Sequence, residues 1–310
     1  MTKIVLILFS KQYIDKNKKS QKLKKGFESL YIFAKKRGIC FCKAPISCFN
    51  KKEESFDKAE FFESGHWIQK PDIVPNVIYD KTPFHICEKL KEDRRKISRI
   101  FTFINDLALS ELMSDKWLTY QKFKIYSPKT VLIEKGDDLG KIKSLDCEKI
   151  ILKPLSGSGG SGIEIVDHEK ISNKQFPYIA QELITTNTGI KGIVDGPHDL
   201  RVIIKDDKLI YSYVRIPSRG RLLANLSQGA KIKVIDIENL PTQIPEIASH
   251  ISKKLENFHH KLYSIDFAFD KKNKPWIIEM NSRPGITLEK DEGEKGRILW
   301  DNLIEMFKSC

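Results

Sequence analysis

The chain has 310 residues, 40% hydrophobic and 31% charged, a globular balance with enough length for two or three domains. Its 54 lysines and arginines against 41 acidic residues give a net charge of +13. That charge suits an anionic partner, and equally a lysine-rich solvated surface. No apolar run is long enough to span a bilayer, and the opening KIVLILF lacks the cleavage site of a signal peptide. The sequence therefore predicts no membrane partner and a cytoplasmic location, where Cys40, Cys42, Cys48, Cys87, Cys147 and Cys310 remain thiols.

Residues 3–9 form a continuous apolar run of the kind that makes a buried parallel strand. In KLKKGFESLYIFAKKRG the spacing puts Leu23, Phe27, Leu30, Tyr31 and Ala34 on one helical stripe, with Gly38 where a C-terminal cap belongs. ICFCKAP then gives a second strand and closes a βαβ unit, and a short proline-bracketed strand follows within PDIVPNVIYDKTP. Apart from Tyr13 and Phe27, no aromatic residue interleaves with the lysines at 11, 16, 18, 19, 22, 24 and 25, which read as a solvated face, not an RNA-binding arm. Residues 1–103 are thus expected to be one open α/β domain.

From residue 104 the texture changes. NDLALSELMSDKWLTYQKF predicts two helices broken near Ser114 and Asp115, both good N-caps. Strands are expected in YSPKTVLI, KIILKPL, GIEIVD and FPYIAQELI. HDLRVIIKDDKLIYSYVRI reads as a hairpin turning at Asp206 and Asp207. PEIASHISKKLENFHH makes an amphipathic helix, and YSIDFAFDKKNKPWIIEMN a second hairpin.

Residues 151–167, ILKPLSGSGGSGIEIVD, contain Gly157, Gly159 and Gly162 in G-x-G-x-x-G spacing. A dinucleotide-binding loop must open a helix. IEIVD alternates like a strand, so the stretch is read as a hairpin with a glycine-rich turn. Such a turn can aim successive N–H groups at a phosphate, or be a plain surface turn.

The last hairpin bears on the choice. With KKNK as its loop, Asp270 faces Pro275 and Asp266 falls opposite Glu279. One face then carries Ile265, Phe267, Phe269, Trp276, Ile278 and Met280. The other carries Asp266, Ala268, Ile277, Glu279 and Asn281. Oxygen donors gathered opposite an apolar face suit Mg²⁺ better than a merely solvated ribbon.

Taken in order, DKWLTYQKF, ILKPLSGSGGSGI, AQELI, DLRVII, YVRIPSRGRLLANLSQGA and IIEMNSRPG resemble the ATP-grasp superfamily, in its glutathione-synthetase-like and ribosomal-protein-glutamate-ligase-like branch. The resemblance covers about residues 104–290. WIQKPDIVPNVIYDKTPF also resembles ATP-grasp proteins associated with endospore coats. It implies an α/β (α+β) ATP-grasp fold over 104–310, with a lid at about 125–180 and a C-terminal subdomain at about 181–310.

The resemblance implies an ADP-forming ligase that joins a carboxylate to an amine through an acyl phosphate, using ATP and Mg²⁺, or Mn²⁺ in its place. By position, Lys116 and Lys153 would contact nucleotide phosphates, with Ser158, Gly159, Gly160 and Gly162 in the loop above them. Gln181, Glu182 and Leu183 would form the adenine hinge, mostly through backbone. Arg201 and Arg215 would face the transferring phosphoryl group, and Asp266, Glu279 and Asn281 would ligate the metal. Expected partners are an amino acid or peptide, with Arg283 a candidate contact for an acidic one. A homo-oligomer is compatible with the sequence; nucleic acid is not an expected partner. A phosphotransferase on the same scaffold is an alternative, as is a non-catalytic structural or nucleic-acid-binding protein using its basic surface.

The sequence departs from the family in three places. NLSQGA has Ala230 where a second glycine is usual. TTNTGIKGIVDGPH is long and lacks the usual acidic ribose ligand, for which Asp195 is a substitute candidate. NSRPGI differs from the glutathione synthetases and argues against glutathione itself.

Overall fold

The computed structural model describes residues 2–10, 20–83, 87–157, 159–168, 176–218 and 229–310. The lysine run at 11–19, Ser158, and Arg219 and Arg221 lie outside the described residues. Contacts divide the chain into two compact units: residues 1–109, 258–262 and 283–310, and residues 110–257 and 263–282.

In the first unit β1 (Lys3–Phe9) is the expected buried strand, with Val5 to Leu8 fully inaccessible. β2 (Ile39–Pro45) and β6 (Val77–Asp80) flank it in parallel, and β7 (Thr102–Ile104) is parallel to β6. α1 (Ser20–Lys35) buries Phe27, Leu30, Tyr31 and Ala34 of the stripe read from the sequence; the Leu23 side chain lies outside the described residues. Gly38, at φ +82, turns the chain into β2.

Between β2 and β6 lie three strands the sequence reading did not assign. β3 (Phe49–Asn50), β4 (Ser55–Glu63) and β5 (His66–Ile73) continue the sheet antiparallel. The sheet order is β3-β4-β2-β1-β6-β7, with β5 on β4. Ser64 and Gly65, both at positive φ, form the two-residue turn joining β4 to β5. Pro71 and the charged residues suit β5 to a sheet edge and hide it from pattern reading.

α2 (Glu88–Ile100) belongs to the same unit. So does α6 (Arg297–Ser309), whose Trp300 lies against Phe33 at 5.1 Å and whose Phe307 lies against Phe41 and Tyr79 at 5.4 and 6.3 Å. The compact units and the sequence boundary at 103/104 therefore divide the chain differently, because α6 spends its apolar stripe on the first sheet.

The division between the units falls within α3 (Leu107–Ser114), and α4 (Lys116–Phe123) lies in the second. The break falls at Asp115, whose carboxylate caps α4 by accepting from the Trp117 and Leu118 amides at 2.8 and 3.0 Å. A four-stranded sheet follows in the order β10 (Glu164–Asp167), β9 (Lys149–Pro154), β11 (Tyr178–Glu182), β8 (Thr130–Ile133). The glycine-rich turn thus joins two antiparallel strands and opens no helix, as the alternation of IEIVD requires.

A five-stranded sheet completes the unit, in the order β14 (Lys231–Val234), β13 (Lys208–Ile216), β12 (Asp199–Lys205), β15 (Leu262–Phe269), β16 (Pro275–Asn281). β12 and β13 are the expected hairpin, with Asp206 at φ +52 in its turn. α5 (Gln243–Lys254) ends before His259 and His260, which sequence reading had placed at the helix end.

The β15–β16 hairpin corrects one expectation. Phe269 pairs with Pro275, one residue away from the expected register, and Ala268 pairs with Trp276 and Phe267 with Ile277. Ile278 is then an extra residue, a β-bulge that restores the expected Asp266–Glu279 pair. Ile277 thus joins the buried face with Phe267 and Phe269, while Trp276 turns away and donates to Asp270 at 3.0 Å. The loop spans residues 270–274, and Asp270 organises it by accepting from the Lys272 and Lys274 amides.

Gly189 precedes the close approach of Ile190 and Val194. It sits at φ +75, and a Cβ there would lie 2.0 Å from the Val194 carbonyl oxygen. Gly189→Ala should therefore destabilise the fold by more than about 1 kcal/mol in chemical denaturation, since both backbone strain and a backbone clash oppose it.

Candidate functional site

Alternation in β12 places Asp199 and Arg201 on one face, and the register sets Asp199 opposite Arg215 of β13. Asp266 reaches the same point from β15. Arg201 donates to both carboxylate oxygens of Asp266 at 2.6 Å, through Nε and Nη2. Arg215 donates through Nη2 to Asp266 at 2.6 Å and through Nε to Asp199 at 2.5 Å. Two cations and two anions are thus buried together.

Burial alone would raise Asp266, but Arg201 and Arg215 hold it at about 2. Burial raises Asp199, against the pull of Arg215. The sequence reading missed Asp199, although its i, i+2 spacing to Arg201 carried the signal.

Glu279 stands opposite Asp266, and Asn281 opposite Ser264. Asp266, Glu279 and Asn281 therefore share one face, as expected from the sequence. All three supply hard oxygen atoms, and this donor set fits Mg²⁺ or Mn²⁺.

The second cluster joins the two sheets of this unit. Lys153, only 6% exposed, donates from Nζ to the Gln181 Oε1 at 2.7 Å and to the carbonyl of the bulge residue Ile278 at 3.0 Å. Burial lowers its pKa to about 8; Glu279 opposes the shift and Lys116 adds to it. Lys116 is lowered by its own burial, against the attraction of Glu279 and Asp115. Its backbone N–H donates to Leu155 and its Nζ to the Gly157 carbonyl at 2.9 Å. Lys116, Gln181, Ile278 and Glu279 line one small pocket.

Gly157, Gly159, Gly160 and Gly162 all have positive φ, so the loop runs through backbone conformations that side chains resist. A larger cavity of about 530 Å³ is lined by Lys149, Ile165, Leu183, Thr185 and Lys271, among others. By strand alternation Lys149, Ile151 and Lys153 share a face of β9, with Ile165 opposite Ile151. The cavity and the two lysines therefore lie along the same face.

The remaining residues divide. Gln181 uses its side chain, not only its backbone, at this site. Glu182 is half-buried and accepts from the Lys129 amide at 3.4 Å. Arg283 donates to the Thr82 carbonyl within the first unit. Asp195 is exposed. His198 is buried against Phe269, on the apolar side of the sheet opposite to Arg201, and its Nδ1 lies 3.0 Å from the Gly196 carbonyl. Burial lowers its pKa.

A four-stranded sheet with a glycine-rich turn and a second sheet with paired acids, joined at a buried lysine, fit the ATP-grasp class. The family described as prokaryotic glutathione synthetase, ATP-grasp domain, matches residues 115–273. The chain belongs to this family, one of ATP-binding ligase domains. It is also similar to the endospore coat-associated protein YheD of Bacillus subtilis (strain 168), at 21% identity over 81% of this chain and 65% of that protein. The chain thus spans about 65% of the length of this curated relative.

Among solved structures, the ATP-grasp ligase PsnB complexed with a minimal precursor matches with TM-score 0.61 and 13% identity, over 99% of each chain. D-alanyl-alanine synthetase A from Vibrio cholerae O1 biovar eltor matches with TM-score 0.63 and 11% identity, over 100% of this chain and 98% of that one. A RiPP-associated ATP-grasp ligase from Chryseobacterium gregarium matches with TM-score 0.63 and 12% identity, over 99% and 97%. At these identities the likeness establishes the fold.

Removing Asp266 would leave two buried guanidinium groups short of their shared anion. Asp266→Ala should lower the unfolding free energy by about 3–5 kcal/mol. Because the folded-state value of Asp266 lies below the unfolded value of about 3.9, its stabilisation is complete above about pH 4 and is lost as pH falls through about 2. The acid limb of stability against pH should therefore flatten between pH 4 and 2 in the variant.

Proposed function

We propose that the chain is an ATP-dependent, ADP-forming ligase that joins a carboxylate to an amine of an amino acid or peptide. The observation that carries this reading is the meeting of Lys116, Gln181 and Glu279 around one pocket, with Lys153 bonded to two of its lining residues, Gln181 and Ile278, and with Asp266 of the Asp266–Arg201–Arg215 cluster opposite Glu279. In this reading residues 1–103 are the amino-terminal α/β domain and 104–310 the ATP-grasp unit. The lid is near 125–180 and the C-terminal subdomain near 181–310.

The nucleotide would lie along the inner face of β9. Its base would sit toward the cavity at Leu183 and Lys149, and its phosphates toward Lys153, Lys116 and the loop of Gly157, Gly159, Gly160 and Gly162. Four residues of strand separate Lys149 from Lys153, about 13 Å, a span that suits an extended nucleotide triphosphate. Asp266, Glu279 and Asn281 would hold Mg²⁺, which when bound supplies charge neutralisation at the phosphate oxygens.

The reaction has two displacements. A carboxylate oxygen of the substrate attacks the γ-phosphorus and ADP departs, leaving an acyl phosphate. The amine then attacks the acyl carbon, loses a proton, and phosphate departs from the new amide. The chain's part is positioning and electrostatics. Arg201 and Arg215 lie beside the paired acids, where they can face the transferring group, and the lysines are already desolvated. Glycines at positive φ let the loop close over the phosphates and exclude water from a hydrolysable intermediate.

The similarity to an endospore coat-associated protein favours a second reading, in which the same chain acts with or on coat proteins. A screen of amino acids and peptides for ATP-dependent phosphate release, with products identified by mass, tests the ligase. Amide product with ADP and phosphate is expected. A phosphorylated product would instead assign a phosphotransferase, and no ATP turnover with any substrate would favour a structural role. Glu279→Gln should reduce turnover to background while leaving circular dichroism and the thermal midpoint close to wild type; full activity in that variant would refute the metal-site assignment.

A further inference from the structure

The ammonium of Lys153 is held by a hydrogen-bond chain whose direction can be read atom by atom. Thr130, 4% exposed, donates its one hydroxyl proton to the Pro128 carbonyl at 2.9 Å. A carbonyl can only accept, so the Thr130 Oγ1 must serve as acceptor toward Gln181, whose Nε2 lies 2.8 Å away. That fixes the side-chain amide of Gln181, itself 5% exposed, with Oε1 turned toward Lys153 at 2.7 Å. With the amide reversed, two hydrogen-bond donors would face each other at Lys153, and Thr130 would meet an acceptor with no proton left to give. The carbonyl of Ile278 takes a second ammonium proton at 3.0 Å. It comes from the bulge residue, which the regular strand ladder leaves over.

We infer that Thr130 and Gln181 are positioning residues, forming a one-way relay that sets the Lys153 ammonium so that its third N–H is presented to a nucleotide phosphate. The inference rests on the nucleotide-site reading above, adds Thr130 to it, and gives the Gln181 side chain a task besides the backbone part expected of it at the adenine hinge. Without the relay, Lys153 would retain its charge and burial but lose its fixed direction. In a buried site that direction matters, because an ammonium rotated toward protein carbonyls is withdrawn from the ligand.

The experiment is a double-mutant cycle on the full chain, reading the dissociation constant of ADP with Mg²⁺ by calorimetry. Thr130→Val keeps the branched shape and removes the hydroxyl, whose oxygen accepts from Gln181 and whose proton is committed to Pro128. It should weaken ADP binding by about tenfold, the size of one charged hydrogen bond. Thr130→Ser, which restores the hydroxyl, should recover the affinity. In a Lys153→Met background, Thr130→Val should cost nothing further, because the relay then has nothing to orient.

A purely structural role for Thr130 predicts the opposite: equal losses with and without Lys153. That additivity, or wild-type affinity in Thr130→Val, would overturn the relay while leaving the nucleotide site intact. Absence of ADP binding by the unmutated protein would overturn the nucleotide reading and the relay with it. Should Thr130→Val not fold, Gln181→Leu takes its place: it should weaken ADP binding in the wild-type background and cost nothing further with Lys153→Met, and equal losses in the two backgrounds would refute the relay.

Discussion

One extra residue in β16 sets the geometry of the second unit. Were Ile278 paired in a regular ladder, the register that sets Phe269 opposite Pro275 would place Asp266 opposite Ile278, and Glu279 would fall one position further on. The bulge reconciles two demands on one ribbon. The turn, organised by Asp270, sets the pairing at its end, and the buried face needs Phe267, Phe269 and Ile277 together. Beyond the bulge the acids meet. The carbonyl left over at Ile278 becomes an acceptor for Lys153, so the same irregularity that pairs the carboxylates also receives the cation from the neighbouring sheet.

Charge in this unit is arranged to be nearly self-cancelling before any ligand arrives. Arg201 and Arg215 share Asp266, and Arg215 also holds Asp199, so four buried charges cancel in pairs. Lys116 and Glu279 line one pocket, and Glu279 attracts both Lys116 and Lys153. Keeping such groups buried costs desolvation, which only their close pairing offsets. The result suits an anion that exchanges places with protein partners: arginines and lysines already stripped of water need little reorganisation to meet phosphate oxygens.

Much of this was legible before any coordinates. The apolar run of β1, the stripe of α1, the cap at Asp115 and the two hairpins follow from local periodicity and capping chemistry, which act within a few residues. The pairing of Asp266 with Glu279 was also legible, although through an assumed four-residue loop and a regular ladder. Two departures, a longer turn and a bulge, compensated one another. The strands at 49–73 stayed hidden because charged residues and Pro71 mask an edge hairpin, although Ser64-Gly65 marked its turn.

The sequence by itself determined the kinds of element and the chemical inventory: two lysines, two arginines, a glycine turn and three oxygen donors on one strand pair. Periodicity and side-chain chemistry are local properties, and they survive without knowledge of the fold. Only the tertiary structure decided which of these groups spend their hydrogen bonds on one another. That Asp266 is held by two arginines, that Gln181 serves Lys153 through its side chain, and that Thr130 orients Gln181 all depend on residues 28 to 65 positions apart in the chain. Such distant groups become neighbours only when strand order and register are fixed, and those are set by the packing of whole sheets.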